Sequence, residues 1–110
     1  MNGIPTNNTT VTQTGRINEP AFKTTVRLHS TDIVEVEEIT STYGIRGVTL
    51  NSGGYRTPTT KRRMNQVFEA LEIPLRVYQK GLVWYVEIGE RPWHGDNGPV
   101  VFKDGITIYI

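Results

Sequence analysis

Thr57-Pro58-Thr59-Thr60-Lys61-Arg62-Arg63-Met64-Asn65-Gln66-Val67-Phe68-Glu69-Ala70-Leu71-Glu72-Ile73-Pro74 is the stretch on which the fold turns. Met64, Val67, Phe68 and Leu71 recur at i, i+3, i+4 and i+7, the spacing of one face of an α-helix. Thr59 or Thr60 is placed to cap its start, and Pro74 closes it, so the spacing predicts a helix over 60–73. On that reading Lys61, Arg62 and Arg63 lie in the first turn, with Arg62 nearly opposite the apolar face and Arg63 to one side. Neither is then needed for packing. Glu69 and Glu72 lie in the later turns. The order is the reverse of what a helix dipole favours, by about 0.3–1 kcal/mol per charge.

On either side of this helix the pattern has period two. Phe22 to His29 reads as a strand with Thr24, Val26 and Leu28 on one face. Ser30-Thr31-Asp32 reads as a turn. In Ile33 to Ile39, Val34 and Val36 alternate with Glu35 and Glu37, a half-buried strand. Gly47 to Asn51 reads as a third strand. After the helix, Leu75 to Gln79 and Leu82 to Ile88 read as a hairpin about a Lys80-Gly81 turn. That register pairs Val77 with Trp84 and sets Arg76 beside Tyr85. Val100 to Phe102 and Ile106 to Ile110 read as a last hairpin about Lys103-Asp104-Gly105. The expected class is α+β: one amphipathic helix packed on an antiparallel sheet of about five to six strands, the economical way to bury both apolar faces. Residues 1–20 are rich in Thr and Asn with few apolar anchors, and read as a polar, flexible arm ahead of a single domain over 21–110.

The 110 residues suit one modest core, and the net charge is +1. No apolar run approaches the roughly 20 residues of a membrane-spanning helix, and residues 1–20 show no signal-peptide pattern. There is no cysteine, so neither a disulfide framework nor a thiolate metal site is available. The charges are segregated. Asp32, Glu35, Glu37 and Glu38 cluster in 32–38 without a base, and Arg46, Arg56, Lys61, Arg62 and Arg63 cluster in 46–63 without an acid. Either the two segments pair across the fold or the second is an exposed basic patch.

Three constellations can carry chemistry. Asn51, Ser52, Gly53 and Gly54 form a glycine-containing loop just before the helix. With Arg56, Thr59, Thr60, Lys61, Arg62 and Arg63 they supply backbone N–H groups, hydroxyls and cations, the ingredients of a phosphate site. The loop has neither the Walker nor the Rossmann glycine spacing. Arg76, Tyr78 and Tyr85 on the outward face of the first hairpin, with Trp93, are candidates for base stacking. His94 and Asp96 are too few ligands to close a metal site, and His29 stands apart at the end of the first strand. No metal or cofactor is expected, and an enzyme is disfavoured because no nucleophile stands beside a His/Asp pair.

The run from Val48 through Leu50-Asn51-Ser52-Gly53-Gly54-Tyr55-Arg56-Thr57-Pro58-Thr59-Thr60-Lys61-Arg62-Arg63-Met64-Asn65 resembles small uncharacterised proteins encoded by tailed bacteriophages. So do Val77-Tyr78-Gln79-Lys80, Val83-Trp84-Tyr85-Val86 and Phe102-Lys103-Asp104-Gly105-Ile106. The resemblance covers about residues 48–110 and carries no assigned activity. It implies a phage origin and hence the host bacterial cytoplasm or the virion. The leading expectation is a non-enzymatic accessory protein, with an anti-defence role among its class-level analogies, that binds a nucleotide signal or a nucleic-acid backbone. The alternatives are a protein-binding or virion assembly module, as a homo-oligomer or on a host defence protein, and a metal-dependent enzyme using His94 and Asp96.

Overall fold

The computed structural model describes residues 3–15, 22–39, 45–89 and 98–110. Its order is β1 (Thr9–Thr14), β2 (Lys23–Leu28), β3 (Thr31–Ile39), β4 (Ile45–Leu50), α1 (Pro58–Ala70), β5 (Leu75–Lys80), β6 (Val83–Ile88), β7 (Val100–Val101) and β8 (Ile106–Tyr109). The class is α+β, with one helix among the described residues. The strands divide into two antiparallel sheets, β1-β2-β3-β4-β8 and β5-β6-β7.

Alternation builds the larger sheet. Thr24, Val26 and Leu28 of β2, Val34 and Val36 of β3, Val48 and Leu50 of β4, and Ile108 of β8 are buried on one face. The alternation breaks once. Val26 faces Val34 but Arg27 faces Asp32, so Ile33 is an extra residue in β3. This bulge lets the consecutive side chains of Ile33 and Val34 both reach the core. The Arg27 guanidinium spans the bulge to Asp32 at 2.7 Å. That bond holds the Asp32 carboxyl below its ordinary range.

Met64, Val67 and Phe68 fill the space between helix and sheets, and they share one core with Leu75, Val77, Trp84, Val86, Ile88 and Phe102 of the smaller sheet region. Leu71, the remaining member of the expected apolar set, is only partly buried because it caps the helix C-terminus. The helix starts two residues and stops three residues earlier than its periodicity suggests. Its cap is Thr57, whose hydroxyl accepts from the Thr60 N–H at 3.2 Å, with Pro58 at the first helical position. At the other end Glu72 takes a left-handed conformation (φ 56°). The Glu72 N–H then bonds Glu69 O, and the Ile73 N–H bonds Phe68 O at 2.8 Å. This is a Schellman ending, made with Glu where Gly is usual.

Three sequence expectations are corrected. First, Thr9–Thr14 is not an unanchored arm. It pairs along its length with β2, and Ile4 is buried in the core. Hydroxyl-rich strands owe their order to backbone pairing and β-propensity, which apolar content does not register. Second, the β5–β6 turn is Gly81-Leu82, so Val77 faces Val86, Tyr78 faces Tyr85 and Arg76 faces Glu87. Gly81 supplies the positive φ at the first central position that a type II′ turn requires. The shift is by two residues, which preserves the faces but leaves Leu82 in the turn, 96% exposed. Third, β7 and β8 are not a hairpin. β7 pairs with β6 and β8 with β4, so Lys103-Asp104-Gly105 crosses from one sheet to the other. Of the 32–38 acids, Glu35 pairs with Lys23 and Asp32 with Arg27, and among the described residues none pairs with a cation of 46–63.

Phe68 is 1% exposed at the centre of the shared core. Phe68→Ala is expected to cost about 3–5 kcal/mol in chemical denaturation. A loss below about 1 kcal/mol would show that the ring is not a core element.

Candidate functional site

The loop after β4 is bonded to a carboxylate of the protein itself. Asp104 Oδ1 accepts from the Ser52 N–H and the Ser52 hydroxyl, each at 2.7 Å. Asn51 Oδ1 takes the Gly53 N–H and Ser52 Oγ takes the Gly54 N–H. Burial acts to raise the Asp104 pKa, but the Ser52 bonds, the Arg56 charge and the Gly54 N–H outweigh it and hold the carboxyl below its ordinary range. Gly53 (φ 64°) is needed for a close approach as well as a turn, since a Cβ there would collide with Thr31. Its neighbour in this approach is Thr31, whereas Gly54 faces open space.

The cations are distributed differently from the expected cluster. Because the cap is Thr57, Pro58, Thr59 and Thr60 form the first turn and Lys61, Arg62 and Arg63 follow it. Arg63 reaches back to the N-terminal segment, donating to Pro5 O at 3.1 Å and Thr9 Oγ1 at 2.8 Å. It is therefore a structural residue, contrary to the expectation that it is dispensable for packing. Arg46 donates to Leu71 O and Glu72 O, placing a cation where the helix dipole wants one. Arg56 lies over the Phe102 ring at 5.1 Å, and Lys61 Nζ lies 5.8 Å from the Trp84 ring centre. Arg62 is exposed, and no bond to its side chain is seen among the described residues.

Beside the Asp104 clamp a cleft of about 450 Å³ opens at the start of α1, lined by Leu28, His29, Ser30, Thr31, Ile33, Ser52, Tyr55, Thr57, Thr59 and Thr60. The β2–β3 turn forms one wall, and the loop and first helical turn form the other. Leu28 and the bulge residue Ile33 make an apolar floor, and hydroxyl side chains dominate the rim. His29 sits in the turn with φ 55°, sparsely populated for any residue but glycine, and its N–H is held by Asn8 O at 2.8 Å. Tyr55 is 69% exposed. Of the first helical turn, Pro58 has no N–H and Thr60 N–H is capped, which leaves the Thr59 N–H to face a ligand.

Of the expected phosphate set, this cleft gathers Ser52, Thr59 and Thr60, while Asn51, Gly53, Gly54, Arg56, Lys61, Arg62 and Arg63 do not line it. His29, Thr31, Tyr55 and Thr57 enter the site from the structure alone. Thr57 had a readable signal, because proline is favoured at the first helical position and so marks its predecessor as the cap. Tyr78 and Tyr85 stack at 5.6 Å on the outer face of the smaller sheet, with Arg76 5.3 Å from the Tyr78 ring centre. The expected Arg76–Tyr85 pairing is replaced by a 3.0 Å ion pair with Glu87. None of these lines the cleft. Trp93, His94 and Asp96 lie outside the described residues, among which no group of three His, Asp or Glu side chains could hold a metal. No helix among the described residues is long and apolar enough to cross a membrane.

Fold and cleft define a small α+β protein with a concave, mostly neutral candidate site. A family model described as Kyanoviridae Gp96 protein matches residues 2–109. The chain belongs to that family, an uncharacterised family of phage proteins. Comparison with curated proteins and with solved structures found no match.

The clamp predicts an acid limb of stability. A carboxyl held below its unfolded pKa contributes stability above the ordinary carboxylate range, which is lost as pH falls through the folded value. Asp104→Asn should lower Tm at neutral pH and flatten the fall in Tm below about pH 4. Equal Tm–pH curves for the two proteins would remove Asp104 from this role.

Proposed function

We propose that this phage protein is a non-enzymatic accessory protein that binds a small phosphate-bearing ligand in the cleft at the start of α1. The observation that supports the reading is the cleft itself. Its volume lies in the range of small-molecule sites, with an apolar floor and convergent polar groups. A phosphate set against the Thr59 N–H and hydroxyl, beside the mutually bonded Thr57 and Thr60 hydroxyls, would meet the positive end of the helix dipole. A base or sugar would lie between Tyr55 and His29 over Leu28 and Ile33.

The distribution of cations favours a small ligand over a nucleic-acid backbone. A backbone needs a continuous basic track. Here Arg46 and Arg63 are committed to the protein's own carbonyls. Arg56 and Lys61 lie against aromatic rings. Sequestering a nucleotide signal in the host cytoplasm would make the protein an anti-defence factor.

Titration by calorimetry against a nucleotide panel, inorganic phosphate and a DNA duplex, each at two salt concentrations, tests this reading. The expected result is selective binding of one nucleotide, abolished by Ser30→Trp, which fills the cleft from an exposed turn position. Binding of the duplex alone, weakening steeply with salt, would shift the site to the cationic surface. Binding of none of these ligands would overturn the reading.

A further inference from the structure

The larger sheet ends in an edge that the protein leaves unguarded, and the other edges show that guarding is its habit. The free side of β5 is occupied by a side chain. Asn65 Nδ2 donates to Val77 O at 2.9 Å, and Asn65 Oδ1 accepts from Val77 N–H at 2.8 Å, so one amide stands in for a neighbouring strand. β5 also carries Arg76 and Lys80. β7 is two residues long and β8 four. Short strands, charges and covered backbones are the usual means of preventing edge-to-edge association.

β1 has none of them. Thr9–Thr14 is six residues without a charge or a proline, and its register with β2 runs unbroken. The His29 N–H donates to Asn8 O, which fixes the phase of the ladder. Thr10, Thr12 and Thr14 therefore turn their backbone groups toward β2, and Val11 and Gln13 turn theirs outward. The outward N–H of Thr9, at the start of the strand, is taken by Thr6 O at 3.2 Å, and among the described residues no strand pairs with the outer side of Val11 and Gln13. Val11, packed against the rim of the core, is half-buried at the same edge.

We propose that β1 is a dimerisation edge, at which two copies of this chain pair antiparallel through β1 and join their five-stranded sheets into one. A second copy is the occupant this edge suits. Antiparallel self-pairing is isologous, and an uncharged strand brings no like charges together across the two-fold axis. A pairing centred on Val11 sets each Val11 opposite its copy and covers the apolar surface left at the rim. It also sets Thr9 opposite Gln13 and Thr10 opposite Thr12. Recognition of a foreign strand would need pockets beside the edge for alternate side chains. The cleft described above is walled by the β2–β3 turn and not by β1.

Two variants test this pairing by sedimentation equilibrium. Thr10→Lys with Thr12→Lys changes exposed side chains and would crowd four lysines at the junction. Val11→Pro removes an outward N–H while sparing the bonds to β2. The wild-type chain should sediment at twice its 12.4 kDa mass. Both variants should sediment as monomers with an unchanged circular dichroism spectrum. If Val11→Pro disturbs folding, the lysine variant alone decides. A monomeric wild-type protein, or a dimer that survives the lysine substitutions, overturns the proposal.

Discussion

One helix serves two sheets, and that constraint organises the molecule. Its core face, Met64, Val67 and Phe68, is shared between residues of both sheets, so neither sheet has an independent interior. The remaining sides of the helix are committed as well. Asn65 satisfies the free backbone of β5, Arg63 binds the N-terminal segment, and Arg46 of the larger sheet donates to the C-terminal carbonyls. A side chain in a packed interior that leaves polar atoms unpaired costs stability, and helix and sheets satisfy many of one another's, while among the described residues Arg63 Nε and Gln66 Oε1 stay buried without a partner. The Asp104–Ser52 clamp adds a fourth link, tying the crossover between sheets to the loop that launches the helix.

The cleft is a by-product of these commitments. The bulge in β3 pushes Ile33 inward and shapes the floor, the Asp104 clamp holds the loop away from it, and the cap at Thr57 sets the height at which the helix begins. The walls are short turns mounted on strands and a helix start, which is how rigid scaffolds commonly present variable binding surfaces. The positive φ of His29, the only non-glycine residue in the cleft wall with that conformation, is the kind of local strain that persists where surroundings hold it in place.

Local periodicity carried the readable part of the fold. Met64, Val67 and Phe68 announced the helix face, and the alternation in β2, β3 and β5–β6 announced which residues point inward. Tertiary choices were not legible. Lys103-Asp104-Gly105 has the composition of a hairpin turn, and nothing local says that the two strands it joins select different partners. Gly81 is compatible with two adjacent turns, which differ by a two-residue register that leaves every face unchanged. The threonines of β1 are too polar and too exposed to announce a strand by hydrophobic alternation, yet they are good strand formers once β2 is present. The cleft draws its walls from residues 28–33 and 52–60, and the anion expected at the glycine loop turned out to be Asp104, half a chain away. Charge arguments from sequence could not place Asp104 against Ser52, because that contact is made only by the fold.

The bulge at Ile33 has a further effect on a sheet built from such similar strands. β1 (Thr-Thr-Val-Thr-Gln-Thr) and β2 (Lys-Thr-Thr-Val-Arg-Leu) share a Thr-Thr-Val run and little side-chain variety, and strands whose pattern specifies register weakly are prone to slippage. An inserted residue has a single position at which both Ile33 and Val34 are buried and Arg27 meets Asp32. Any displaced pairing of β2 with β3 would strand one of these apolar side chains in water and separate the ion pair. The extra residue thus acts as an alignment pin for the meander, excluding the misregistered states that a perfectly regular sheet of the same composition would visit.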